Sequence, residues 1–337
     1  MIDDRTGLAL PPTGLLAGVS PVYESRRGAA YAGDALDLLR ATPDASVNLV
    51  VTSPPYALEF KKEYGNESQA TYVAWFLEFA REVQRVLTED GSFVINIGGA
   101  WTKGLPVRSL YHFRLLIALV DELRFHLAQE FYWYNPAKMP TPAEWVNVRR
   151  IRVKDSVEPC WWLSKSPWPE ASNRRVLVEY SDDMRRLIER GFTAKRRPSG
   201  HMAKASWGRD QGGAIPGNVL TFGNNDSNGR YLRAVAARGL KLHPARFPVD
   251  LPEFFIRFLT EPGDVVLDIF GGSMTTGWAA ERLNRSWLGF DREREYVEAS
   301  RLRFLDDGGR LLSDAELGVY ADGVRQLSLA EALVIAS

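Results

Sequence analysis

Apolar residues recur along this chain in two rhythms. Compact runs rich in β-branched and aromatic residues at 47–52, 93–97, 127–134, 157–163, 265–270 and 287–290 read as buried strands. Between them the spacing lengthens. Val73, Phe76, Leu77, Ala80, Val83, Val86 and Leu87 share one face of a helix predicted over 72–87. The same spacing predicts helices over 109–123, 252–260 and 275–283, and Leu36, Leu38 and Leu39 mark a short one after Gly33-Asp34. Pro54-Pro55, Asp90-Gly91 and Gly98-Gly99 punctuate the pattern. Strands alternating with helices predict an α/β fold, with a mostly parallel sheet covered on both faces. Residues 1–20, rich in Pro, Gly and small side chains, read as a flexible lead-in, and 166–238 lose the regular alternation.

Composition narrows the class. With 337 residues, 45% hydrophobic and 25% charged, the chain matches a soluble globular protein and is neither disordered nor collagen-like. The lone Cys160 excludes an internal disulfide, and His112, His126, His201 and His243 show no metal-binding spacing, so no metal is expected. No apolar stretch reaches the ~18–20 residues of a membrane span. Met1-Ile2-Asp3-Asp4 lacks the order of a signal peptide, so a cytoplasmic protein is expected.

A formal net charge of zero hides an asymmetry. Residues 136–238 hold 19 Lys and Arg against 10 Asp and Glu, and the rest of the chain carries the opposite excess. Gly and Pro interrupt the densest part, which includes Arg185, Arg186, Arg190, Lys195, Arg196, Arg197, Lys204 and Arg209. Basic loops of this kind suit a polyanion, although a solvated mixed-charge insertion has the same composition.

Two strand ends carry candidate chemistry. The run 265–270 enters Gly271-Gly272-Ser273 and then a helix, placing backbone N–H groups where a ligand can approach without Cβ interference. Asp291 ends the next strand, where a carboxylate can accept hydrogen bonds from the ribose hydroxyls of an adenosine cofactor. Neither G-x-G-x-x-G nor a P-loop is present. The run 47–52 delivers Ser53-Pro54-Pro55-Tyr56. Prolines lack an N–H, so their carbonyls and the Ser53 hydroxyl form an acceptor set, with Tyr56 as a flat face. Such a set suits an exocyclic amine stacked on a ring. Pulling the amine hydrogens out of plane localises the nitrogen lone pair for attack on an in-line sulfonium methyl.

These residues resemble the amino-methyltransferases of bacterial restriction–modification systems. Order places the chain nearest the beta class, with catalytic tetrapeptide first, cofactor loop last and a variable region between. The resemblance spans roughly 23–307 and rests on several motifs. They are Gly33-Asp34, Thr52-Ser53-Pro54-Pro55-Tyr56, Lys62-Glu63-Tyr64-Gly65-Asn66, Tyr132-Trp133, Glu144-Trp145-Val146-Asn147, Arg196-Arg197-Pro198-Ser199-Gly200-His201 and His243-Pro244-Ala245-Arg246-Phe247-Pro248. It implies a permuted doubly wound, Rossmann-like sheet with a target-recognition insertion. The implied layout is a lead-in at 1–20, catalytic parts at 21–165 and 239–310, a recognition region at 166–238 and an extension at 311–337.

By resemblance the cofactor is S-adenosylmethionine. Asp34 would meet its adenine, Asp291 its ribose, and Ser273 with Asp268, Phe270, Gly271 and Gly272 the methionine end. Ser53, Pro54, Pro55 and Tyr56 would hold a flipped cytosine for N4 methylation in duplex DNA. Arg196, Arg197, His201, Lys204 and Arg246 would contact the DNA. A monomer is expected, with a dimer as the alternative, alongside a cognate endonuclease that forms no stable complex with it. Three positions depart from family custom: Met274 replaces a small or polar residue, Asp291 a Glu, and Asn96 an acidic residue.

Other chemistries fit less of the sequence. By the resemblance, Ser in place of Asp before Pro-Pro favours cytosine N4; adenine N6, an exocyclic amine that fits the same acceptor geometry, is the alternative. Carbon-5 methylation needs a thiolate, and Cys160 beside Trp161-Trp162 reads as core. A nicotinamide oxidoreductase gives the tetrapeptide no role, and a DNA-binding module with a decayed site leaves it unexplained.

Overall fold

In a computed structural model of the protein, residues 8–12, 14–58, 67–191, 195–196, 202–203, 208–224 and 229–318 are described. The first half contains β1 (Tyr23–Glu24), β2 (Gly28–Ala32), α1 (Ala35–Ala41), β3 (Val47–Thr52), α2 (Tyr72–Val86), β4 (Leu87–Asn96), α3 (Tyr111–Asp121), β5 (His126–Tyr134) and β6 (Val157–Ser164). There follow α4 (Asp182–Arg190), β7 (Lys195–Arg196), β8 (Met202–Ala203), β9 (Val219–Thr221) and α5 (Arg230–Ala237). The last part holds α6 (Asp250–Leu259), β10 (Val265–Asp268), α7 (Thr275–Arg282), β11 (Ser286–Asp291), α8 (Arg294–Ser300) and α9 (Asp314–Leu317).

Among the described residues nine strands form one sheet in the order β1-β2-β11-β10-β3-β4-β6-β5-β9, and β7 pairs separately with β8. The central five, from β2 to β4, run parallel. β6 opposes its neighbours β4 and β5, and the two-residue β1 opposes β2. The sheet is thus mostly parallel, as the alternation predicts. Apolar residues on its two faces feed separate cores. Val50 packs with Leu39 of α1, Phe76 of α2 and Leu115 of α3. Leu49 and Val51 pack with Phe255 of α6, Ala280 of α7 and Val297 of α8. The chain leaves β3 towards β4 on one side and leaves β10 towards β11 on the other. The switch point between β3 and β10 is where such sheets open a ligand crevice.

Several elements differ from the sequence expectation. β2 reads Gly-Ala-Ala-Tyr-Ala and lacks the β-branched signature of a strand. Its small residues are required by packing: Gly28 pairs with Trp287, and a Cβ there would lie 2.2 Å from the indole. β4 begins at Leu87, directly after α2, and its register on β3 jumps between Val47 and Leu49 to absorb the extra residues around Asp90-Gly91. The span 166–238 is not irregular throughout, since it contains α4, α5 and β9, and β9 extends the main sheet at β5. Part of the expected flexible lead-in is pinned. Ala9 N–H donates to Asn284 Oδ1 at 2.7 Å, and Ser286 Oγ donates to the Leu10 carbonyl at 2.7 Å. The start of the C-terminal extension is also held, with Asp314 paired to the buried Arg27 at 2.6 Å. No helix among the described residues is long and apolar enough to cross a membrane.

Gly28→Ala should force a methyl into the Trp287 ring and lower stability by about 1–3 kcal/mol. Urea denaturation checks this, and an unchanged midpoint would contradict the packing account.

Candidate active site

Parallel strands aim their carboxyl ends at one edge of the sheet. Asp34 follows β2, Asp291 ends β11, Phe270 to Ser273 follow β10, Ser53 to Tyr56 follow β3 and Asn96 ends β4. The antiparallel β6 contributes its amino end, and with it Glu158. All of them line one cavity of about 690 Å³, a size typical of small-molecule sites.

A buried carboxylate joins the two halves. Asp268 is 2% exposed and accepts hydrogen bonds from Thr52 Oγ1 at 2.7 Å, Thr276 Oγ1 at 2.6 Å and Phe270 N–H at 3.1 Å. Burial pushes its carboxyl up to about 6, against the lowering effect of these three donors. Asp268, expected at the methionine end of the cofactor, is not among the residues that line the cavity. Asp268 lies below the cavity floor and fixes the tips of β3 and β10 relative to each other.

The glycine loop is shaped from both sides. Gly271 N–H donates to the Phe290 carbonyl at 2.7 Å, and Gly272 N–H donates to Asp291 Oδ2 at 2.7 Å. Gly272 has φ +51°, and a Cβ on it would sit 3.1 Å from the His243 ring. His243 Nδ1 meets the Ala245 carbonyl at 2.5 Å, and burial pushes its imidazole down to about 4, so it is neutral near pH 7. Met274 adopts φ +53° and is fully buried against Gly271 and Gly289, so its side chain stays out of the cavity. Arg303 holds the loop from behind, donating to the Ser273 carbonyl at 2.6 Å and to Ser273 Oγ at 3.1 Å.

At the other end, Tyr56 lies against Gly98, where any Cβ would strike its ring at 2.4 Å. Its hydroxyl donates to Glu158 Oε2 at 2.7 Å, and Lys138 Nζ donates to Glu158 Oε1 at 2.7 Å. Ser53 Oγ lies 3.3 Å from Asn96 Oδ1 and 3.4 Å from the Tyr56 hydroxyl. Burial raises the Tyr56 phenol well above its ordinary value, reinforced by the Glu158 charge, so it stays protonated. Both prolines of the expected acceptor set line the cavity. Tyr72 donates to the Pro55 carbonyl at 2.9 Å, which occupies one of its two lone pairs.

Comparison with known proteins fits this geometry. The profile of the DNA methylase family matches residues 47–302. The chain belongs to the DNA methylase family. It is 55% identical over 293 residues to the type II methyltransferase M.PvuII of Proteus hauseri, covering 86% of this chain and 87% of that one. It is 29% identical over 276 residues to M.BglII of Bacillus subtilis, covering 80% of this chain and 66% of that one. A solved structure described as the PvuII DNA methyltransferase, cytosine-N4-specific, superposes with TM-score 0.71 at 48% identity. It covers 89% of this chain and 93% of its own. The Rossmann-like methyltransferase sheet is therefore the fold of this methylase.

Of the expected site residues, Ser53, Pro54, Pro55, Tyr56, Asp34, Phe270, Gly271, Gly272, Ser273, Asp291 and Arg246 share the cavity wall. Asp34 also caps α1, accepting from Leu36 N–H at 2.9 Å. Arg246 donates to the His243 carbonyl at 2.7 Å and so closes that loop. Arg196 falls in β7, of which only the backbone is described. Arg197, His201, Lys204 and the motif at 62–66 lie outside the described residues. Sequence reasoning missed Glu158, Lys138 and Arg303. A lone charged residue in the otherwise apolar run 157–163 was the available signal for Glu158.

Cys160 is fully buried and pairs across the sheet with Asn96, and burial pushes its thiol up to about 12. A disulfide reagent at pH 8 should leave the native methylase unlabelled and titrate one thiol after unfolding. Rapid stoichiometric labelling of the native protein would contradict the core assignment.

Proposed function

We propose that this methylase transfers the methyl group of S-adenosylmethionine to the exocyclic N4 of a cytosine flipped out of duplex DNA. One observation carries the reading: an acceptor set and a glycine-and-carboxylate loop face the same cavity, with the Thr52–Asp268 hydrogen bond between them. The cofactor supplies a methyl group on a positively charged sulfur, already activated for transfer. The residues present fit it. Met274 turns away from the cavity, so the backbone of Gly271-Gly272-Ser273 is open to the methionine end. The Asp291 oxygens each accept one backbone N–H, from Gly272 and Glu293, and retain lone pairs for ribose hydroxyls. Asp34 stands at the adenine end, and Phe270 with Trp75 and Phe79 offers an apolar wall.

At the tetrapeptide, hydroxyl hydrogens are drawn away from the cavity. Tyr56 donates to Glu158 and Ser53 donates towards Asn96. Their lone pairs, with the Pro54 carbonyl, are left to accept the hydrogens of an amine, while the Tyr56 ring stacks on the base. That polarity favours the nitrogen lone pair in line with the methyl group. Cytosine N4 is supported over adenine N6 by Ser53 and by the likeness to an enzyme described as cytosine-N4-specific. The buried thiol of Cys160 speaks against carbon-5 chemistry.

The target amine is paired inside the duplex, so the base must leave the stack to reach this cavity. Residues 166–238 would serve as the target-recognition region, with Arg196, Arg197, His201 and Lys204 meeting phosphates and base edges. Arg246, at the cavity, would meet the backbone beside the flipped nucleotide. The reading implies a cytoplasmic monomer working alongside a cognate endonuclease without a stable complex.

Nucleoside analysis of duplex DNA treated with the protein and S-adenosylmethionine should yield N4-methylcytosine. N6-methyladenine or 5-methylcytosine as the product would overturn the proposal. Ser53→Ala should slow single-turnover methyl transfer by about 100-fold with cofactor affinity unchanged. Asp291→Ala should instead weaken cofactor binding by about tenfold or more. The reverse pattern, measured by calorimetry and rapid quench, would contradict the assigned roles.

A further inference from the structure

N4 methylation leaves a proton to be disposed of. The nitrogen–carbon bond forms as the carbon–sulfur bond breaks, and that electron pair stays on sulfur as a neutral thioether. The nitrogen is then cationic and must lose one hydrogen. Asn96, at the tip of β4 beside Ser53, is an amide and cannot take it. Among the described residues the carboxylate hydrogen-bonded to the tetrapeptide is Glu158, which reaches the site from β6. Asp291 is tied to the cofactor loop at the other end of the cavity.

We propose that Glu158 is the terminal acceptor of the proton released by the methylated amine, reached through Ser53 and Tyr56. The proposal rests on the methyltransferase reading above. Three oxygens stand in series: Ser53 Oγ to Tyr56 Oη at 3.4 Å, then Tyr56 Oη to Glu158 Oε2 at 2.7 Å. As Ser53 Oγ accepts the amine hydrogen, its own hydrogen turns from Asn96 Oδ1 to Tyr56 Oη and is passed on, and the Tyr56 hydrogen moves to Glu158. Both hydroxyls end as they began, and Glu158 ends as a carboxylic acid. The longer hop is of a kind that tightens once substrate is bound. Lys138, on the second carboxylate oxygen at 2.7 Å, supplies the opposite charge that pairs with the carboxylate before transfer. Glu158 acts through the Tyr56 hydroxyl that donates to it, so it is a positioning residue.

The lining of the cavity shows where the route begins. Ser53, Tyr56 and Glu158 line the same cavity, whereas Pro54 and Pro55 offer no N–H and no titratable group. A proton released against this wall meets the Ser53 hydroxyl first.

The test uses the full chain with S-adenosylmethionine and its duplex. Glu158→Gln keeps the shape and an acceptor for Tyr56 but cannot take a proton. It should lower the single-turnover rate by on the order of 100-fold, with cofactor and duplex dissociation constants within about twofold of wild type. Adding Asn96→Asp, which puts a carboxylate 3.3 Å from Ser53 Oγ and 3.2 Å from the Tyr56 hydroxyl, should recover at least about tenfold. Tyr56→Phe, which breaks the series while leaving Glu158 and Lys138 intact, should show the same loss if Glu158→Gln fails to fold. A Glu158→Gln rate within about threefold of wild type, a loss confined to the dissociation constants, or no recovery with Asn96→Asp would overturn the proposal. No N4-methylcytosine from the wild-type protein would instead remove the reading beneath it.

Discussion

The site depends on one buried carboxylate. Asp268 accepts from Thr52, Thr276 and Phe270, and so binds together the tip of β3, the start of α7 and the turn after β10. Thr52 and Asp268 are 216 positions apart in the chain, yet their hydrogen bond sets the offset between the tetrapeptide and the cofactor loop. Keeping a carboxylate in the core is costly, which is why burial raises its proton affinity. Three donors compensate. Such a fully satisfied network is rigid, since loss of any partner leaves a buried polar group unpaired.

Rigidity at that point has a chemical consequence. Methyl transfer to an amine needs little covalent help from the protein and much positioning. The glycine loop is pressed into shape by His243 beneath Gly272 and by Arg303 behind Ser273. Tyr56 is seated on Gly98 and anchored by Glu158. Each end is therefore held by side chains from elsewhere in the sequence, and Asp268 holds the ends to each other.

Much of the fold was legible because its periodicity is local. The run at 47–52 becomes β3 with the same bounds, and the helix expected over 72–87 is α2 to within one residue. β2 was hidden because its alanines and glycine are dictated by Trp287, whose place opposite Gly28 exists only after folding. β9 was hidden because a three-residue strand at a sheet edge carries almost no pattern. In the site, Ser53-Pro54-Pro55-Tyr56 and Gly271-Gly272-Ser273 announce themselves as contiguous motifs. Glu158 does not, since an antiparallel strand brings it to Tyr56 from 102 positions away. Asp268 was noticed as part of the loop motif but given a ligand-facing role, because sequence cannot distinguish a carboxylate below the floor from one above it.

The central claim is that two distant strand tips align a target nitrogen behind the transferable carbon. A crystal structure of the protein with its duplex and an unreactive cofactor analogue tests it most directly. The account predicts an extrahelical cytosine with N4 about 3 Å from Ser53 Oγ and from the Pro54 carbonyl oxygen, facing an analogue seated on Gly271 and Gly272. A cytosine still stacked in the helix, or an N4 turned away from Ser53 with the analogue bound elsewhere, would contradict it.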